Sequence, residues 1–166
     1  MEVVMKRTPQ SAKALVLLIG LGFFPACSTF TLQQVDFGWP VESVLKVKDN
    51  NTVSEGRYAI AFNIAPLAAR EFQDSTALKG KEIRLLRSNE GLYFLTGPNF
   101  KFVYVMTPGA SELKLWNTFE VSKTGLKHPV LNQRDPYVEL IDGKDMRVLM
   151  TSDDVVKEAD LRAEKH

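Results

Sequence analysis

Along much of the chain apolar and polar side chains alternate with a period of two, the pattern of a strand with one buried face. In SVLKVK, Leu45 and Val47 alternate with Lys46 and Lys48. In RYAIAFNI, Tyr58, Ile60, Phe62 and Ile64 fall on one face, with Arg57, Ala59, Ala61 and Asn63 on the other. Asp49-Asn50-Asn51 supplies a turn before this second strand, because Asn and Asp tolerate left-handed backbone. Pro66 stops the strand, since proline brings no amide hydrogen to a ladder. Residues 67–78, LAAREFQDSTAL, break the alternation and predict one or two turns of helix. Strand patterns then return at EIRLLR (82–87), GLYFLT (91–96), FKFVYVMT (100–107) and ELKLWNTFEV (112–121). Gly-, Pro- and Asn-rich joints separate them, as in successive hairpins. Phe100, Phe102, Tyr104 and Met106 share one face of their strand, but Val103 and Val105 make the other face apolar as well. That strand is expected inside a sheet covered on both sides. A last hairpin joins Tyr137–Ile141 to Met146–Thr151 across Asp142-Gly143-Lys144-Asp145.

About eight short, closely spaced strands predict an all-β domain over residues 43–152. The expected architecture is an antiparallel β-sandwich, with a small β-barrel as the alternative and one short helical segment. No block repeats at a constant period, so a propeller or solenoid has no support. Residues 153–166, DDVVKEADLRAEKH, are charged with little to bury and are expected to be a short helix or a disordered tail.

The alternation fails altogether at residues 14–24, ALVLLIGLGFF, which hold no polar side chain. As a helix this run would reach about 16 Å, against a bilayer core about 30 Å thick. It is too short to stay in a membrane as a spanning helix. Lys6, Arg7 and Lys13 precede it and small residues surround its end, which is the layout of a secretory signal. Met5 opens MKRTPQ, a more typical signal start than Met1. The run ends in Phe24-Pro25-Ala26-Cys27, which resembles the lipobox of bacterial lipoproteins. Ala26 fits that motif, whereas Phe24 and Pro25 depart from the family's usual Leu and Ala, Ser or Thr. The resemblance implies cleavage between Ala26 and Cys27, and a Cys27 that carries diacylglycerol and palmitate. It also implies sorting to the outer membrane, because Ser28 rather than Asp follows the cysteine. Two or three acyl chains meet the requirement for stable anchoring, which one chain does not. Cys27 is the only cysteine, so it has no disulfide framework to join. The alternatives are an unlipidated signal, giving a secreted or periplasmic protein, and a core helix bearing an inert thiol. Residues 28–42 then read as a tether, on which Phe37 and Trp39 are placed to dock onto the domain.

Length and charge narrow the function further. A chain of 166 residues suits one domain. With 21 Lys+Arg against 20 Asp+Glu, nothing points to nucleic acid. Three of those bases and one acid lie in residues 1–27, so the remainder carries a net charge of −1. An acylated Cys27 leaves no thiol nucleophile. A serine nucleophile needs a base, and apart from the terminal His166 only His128 offers an imidazole. No G-x-S-x-G elbow is present. One internal His and no further Cys make a zinc site improbable, and neither acidic turn completes a calcium loop. The expectation is a protein without catalytic residues, metal or cofactor.

The most irregular stretch is SKTGLKHPVLNQRDP, residues 122–136, a length at which loops are commonly functional. Lys127, His128, Asn132, Gln133 and Arg134 are its candidate recognition residues. The competing expectation is a short edge strand at Val130-Leu131 with turns on either side. Trp39 and Trp116 are read either as sugar-stacking platforms or as packing residues. Together these features predict a lipid-anchored envelope protein that acts by binding, as an accessory or assembly component with an envelope protein partner. The rival expectations are a carbohydrate- or small-ligand-binding lipoprotein and an envelope hydrolase of unrecognised type.

Overall fold

The computed structural model describes residues 40–144 and 146–156. Among the described residues it is an all-β fold of antiparallel sheets that do not close into a barrel, with one short helix. Strand β1 (Ser43–Lys46) leads to the hairpin β2 (Thr52–Glu55) and β3 (Ile60–Asn63), then helix α1 (Ala65–Phe72). Four strands follow in a meander: β4 (Glu82–Arg87), β5 (Tyr93–Thr96), β6 (Phe102–Pro108) and β7 (Leu113–Glu120). The last four are β8 (Pro129–Arg134), β9 (Tyr137–Asp142), β10 (Met146–Met150) and β11 (Val155–Val156). They form a five-stranded sheet of order β1-β4-β5-β6-β7, a four-stranded sheet of order β11-β10-β9-β8, and the separate β2-β3 ribbon.

The five-stranded sheet has apolar side chains on both faces, so two cores form against it. Leu45, Ile83, Leu85, Leu95, Tyr104 and Met106 pack beneath the β2-β3 ribbon and α1, with Val53, Ile64 and Ala68. Leu86, Phe94, Val103 and Val105 point the other way and meet Leu131, Val138, Leu140 and Met150 of the four-stranded sheet. All four residues of β5 are therefore buried, and β6 is covered on both faces as its two apolar faces predict. Burying one such side chain fully stabilises by about 1.5–3 kcal/mol. Exposed ion pairs such as Lys114–Glu112 contribute about 0–1 kcal/mol each. The two cores, not the surface charges, hold the fold.

Polar anchors fix the smaller pieces. Pro66 stands in the first turn of α1, where a missing amide hydrogen costs nothing. Asn63 Oδ1 accepts the Ala65 amide at 2.8 Å, and Gln73 closes the helix in left-handed backbone, φ 58°. The hydroxyl of the fully buried Tyr104 donates to Glu71 Oε2 at 2.7 Å, tying α1 to β6. Burial, and then the Glu71 carboxylate, push the Tyr104 hydroxyl well above the ordinary tyrosine range. In β2 a carboxylate points inward: Glu55 is buried and paired with Arg57 at 3.1 Å. This inward acid hides β2 from a hydrophobic pattern. The hairpin turn also occupies Gly56–Ala59, with Ala59 at φ 50°. The second strand consequently starts at Ile60 rather than Arg57, and Tyr58 packs edge-on to Tyr93 from the turn.

Both ends of the domain also differ from the sequence reading, and α1 spans Ala65–Phe72 rather than falling within 67–78. Glu42, assigned to the tether, is bonded into the fold: it accepts the Leu131 amide at 2.7 Å and pairs with Arg84 at 3.3 Å. Val155–Val156, assigned to a helix or disordered tail, add β11 to the edge of β10. The lipobox with Ala26 and Cys27, Trp39, and residues 157–166 lie outside the described residues.

Candidate functional site

Residues 122–136, read as one irregular stretch, divide in two. Residues 122–128 are a loop pinned from beneath by Leu126, which is fully buried. The Leu126 amide donates to Phe100 O at 2.8 Å, and its carbonyl accepts from Asn99 N at 2.7 Å. Gly125 makes this approach possible at φ +95°, because a Cβ there would lie 2.8 Å from Asn99 O. Residues 129–134 then form β8, paired along its length with β9. The Val130-Leu131 edge strand of the sequence reading is present and longer than expected.

The five candidate recognition residues are spread along this unit. Lys127 and His128 are exposed, and their backbone amides donate to the Asp142 carboxylate, at 3.0 Å from Lys127 to Oδ2 and 2.5 Å from His128 to Oδ1. Asn132 and Arg134 face outward from β8, and Gln133 faces inward. From His128 to Arg134 is about 20 Å at roughly 3.4 Å per strand residue, so the two ends do not share one contact patch. Arg134 and Arg147 flank the buried Glu139 on the outer face, at 3.4 and 3.3 Å. Among the described residues no three His, Cys, Asp or Glu side chains group as metal ligands.

The sheet edges carry what is most unusual about the surface. Among the described residues the exposed large hydrophobics are Val41, Val44, Leu115, Trp116 and Val130. Each lies on an edge strand (β1, β7 or β8) or, for Val41, two residues before one. On β7 the register shifts: Val105 pairs with Asn117 and Met106 with Leu115, leaving Trp116 as an extra, bulged residue. Bulges on edges bend the strand and block sheet-to-sheet pairing. Here the bulge sends Trp116 toward the loop after β10, where its Nε1 donates to Asp153 Oδ1 at 3.0 Å, while 58% of its surface stays exposed. Asn117 Nδ2 adds bonds to the carbonyls of Ser152 and Asp153 at 3.3 and 3.2 Å.

Concavities occur elsewhere among the described residues. A groove of about 570 Å³ runs between β3 and the β6–β7 turn, Pro108–Leu113. A smaller cavity of about 170 Å³ opens at the end of the sandwich, over a floor of Phe94, Val138 and Met150. Its walls come from the β4–β5 turn at Ser88–Glu90 and the β8–β9 turn at Asp135-Pro136. Sequence reasoning singled out Gln133 in this wall but not Ser88, which a turn motif alone does not distinguish. No family model, curated protein or solved structure matches the chain.

Proposed function

We propose that the chain is a lipid-anchored envelope protein whose β-sandwich acts by binding a protein partner. The lipid anchor rests on the signal pattern ending at Ala26-Cys27. The observation that carries the partner reading is the concentration of exposed large hydrophobic side chains on edge strands β1, β7 and β8. An exposed Trp presented by a bulge is the kind of residue that anchors protein interfaces, where truncating such an anchor commonly costs about 2–4 kcal/mol. Because the bulge obstructs backbone pairing, contact on β7 is made by side chains rather than by strand addition.

Site-specific photocrosslinking in the native envelope tests this. A photoreactive residue at position 116 or 130 is expected to give a discrete adduct, while one at the exposed turn residue Lys79 gives none. Equal, diffuse labelling from all three positions would count against a partner on these edges.

A further inference from the structure

We propose that the groove beside β3 binds an extended, uncharged polypeptide segment by strand addition. The contact is made by main chain and does not rest on the side-chain patch of β1, β7 and β8, so either reading can fail alone.

The hydrogen-bond phase of the β2-β3 ribbon decides which way each amide points. Phe62 pairs with Val53 and Ile60 with Glu55, and Ile64 N donates to Asn51 O at 2.9 Å in continuation of the same ladder. Bonded and unbonded pairs alternate in an antiparallel ladder, so Ile60, Phe62 and Ile64 turn their amides and carbonyls toward β2. Ala61 and Asn63 turn theirs away. Among the described residues neither of those two amides has a hydrogen-bond partner, and both residues are exposed.

The groove lies along that edge. Its β3 wall is made of consecutive residues, Ala59 to Asn63, and no β2 residue lines it. Successive side chains of a strand point to opposite faces, so a concavity over one face would be lined by every second residue. Lining by each residue in turn places the groove along the backbone, on the side away from β2. The turn Pro108–Leu113 forms the opposite wall. From Ala59 to Asn63 the groove offers a length of about 17 Å at roughly 3.4 Å per residue. Its volume of about 570 Å³ falls within the range of about 300–1,000 Å³ typical of ligand clefts.

The character of the edge selects a strand. Edge strands are ordinarily blunted by charge, proline or a bulge. β1 presents Lys46, β7 is bulged at Trp116, and on β8 Pro129 has no amide while Glu42 occupies that of Leu131. β3 has none of these devices, and its register is unbroken. Glu112 is the one ionisable residue in the lining, and Lys114 balances it at 3.4 Å. A charged segment therefore finds no counter-charge. A strand with small or apolar side chains at alternate positions sets them against the half-buried Ile60, Phe62 and Leu113. Strand addition draws affinity from the main chain and specificity from those alternate side chains.

The test adds capped hexapeptides alternating Thr with Val, Ser with Ala, or Thr with Leu to the full-length protein in detergent. Amide exchange is followed by NMR. At least one peptide is expected to bind saturably and to slow exchange at Ala61 and Asn63 at least tenfold. Ile60 and Phe62, already bonded to β2, should change little. The same peptide methylated at every backbone nitrogen should not bind. Ala61→Pro removes an amide that the ladder does not use, so it should leave the melting temperature nearly unchanged while abolishing peptide binding. Ala110→Trp fills the groove from the opposite turn without touching β3, and should abolish binding even if Ala61→Pro does not fold. Failure of all three peptides to bind would overturn the proposal. So would equal binding of the methylated peptide, protection on β7 in place of β3, or binding indifferent to either folded variant. Slow exchange at Ala61 and Asn63 in the free protein that is lost on dilution would assign the edge to a second copy of the chain, and would likewise overturn it.

Discussion

Two glutamates illustrate how much a residue's surroundings decide. Burial works to raise the carboxyl of Glu55, but the Ser43 hydroxyl and the amide and guanidinium of Arg57 outweigh it, and its pKa lies below the ordinary 4.5. Burial also raises Glu42, and there the Leu131 amide and Arg84 do not fully offset it, so its pKa lies above 4.5. The two therefore act on stability in opposite directions. Glu55 contributes stability that is present above pH 4.5 and is lost as pH falls through its folded pKa. Glu42 in the folded chain holds a proton that the unfolded chain releases, so its effect lowers stability as pH rises from 4.5 through its folded pKa. Urea denaturation across pH 3–7 checks both signs. Glu55→Gln is expected to make the acid-side loss shallower, and Glu42→Gln to remove the decline above pH 4.5 while still offering Leu131 an acceptor. Neither residue was legible as special in the sequence. An inward acid on a strand and an acid just before one look like any other charges until their partners, 89 positions away for Glu42, are brought up by the fold.

Among the elements, those with one strong pattern were read well. EIRLLR is β4 to the residue, and FKFVYVMT was rightly expected to be covered on both faces. The misreadings arise where a specific bond or turn overrides the local pattern. Glu55 interrupts the alternation of β2, and the Gly56–Ala59 turn shortens the strand after it. In residues 122–128 a single buried leucine fixes what its composition presents as an open loop. Gly125 is where this dependence is sharpest. Gly125→Ala combines an unfavourable backbone with a collision against Asn99 and should cost on the order of 3 kcal/mol. Gly143→Ala, at φ +67° with nothing within 4 Å, carries only the backbone cost, about 1–2 kcal/mol. Equal losses from the two variants in chemical denaturation would mean that the loop is not seated on Asn99 as described.

For the whole molecule, the address and the activity are separate questions. The fold class was legible because eight short alternating segments leave few other architectures. The cavity was not, because it is assembled from turns distant in sequence: Ser88 and Gln133 lie 45 positions apart and neither sits in a motif. Cys27→Ala is expected to abolish palmitate labelling and to move the protein out of the membrane fraction. A variant that stays membrane-bound with unchanged migration would remove the anchor from the proposal and leave the edge reading standing.

The shared central sheet has one more consequence. Adjacent residues in it serve opposite cores: Leu85 and Leu86, Phe94 and Leu95, Val103 and Tyr104, Val105 and Met106 each send one side chain to either side. Neither core can melt without pulling apart backbone that the other depends on. Although the layers are chemically distinct, heating should give one transition with calorimetric and van't Hoff enthalpies in agreement. Amide exchange should be slowest in β5 and β6 and fastest in the β2-β3 ribbon and β11. Two separate transitions would mean that the sheet does not couple the layers it joins.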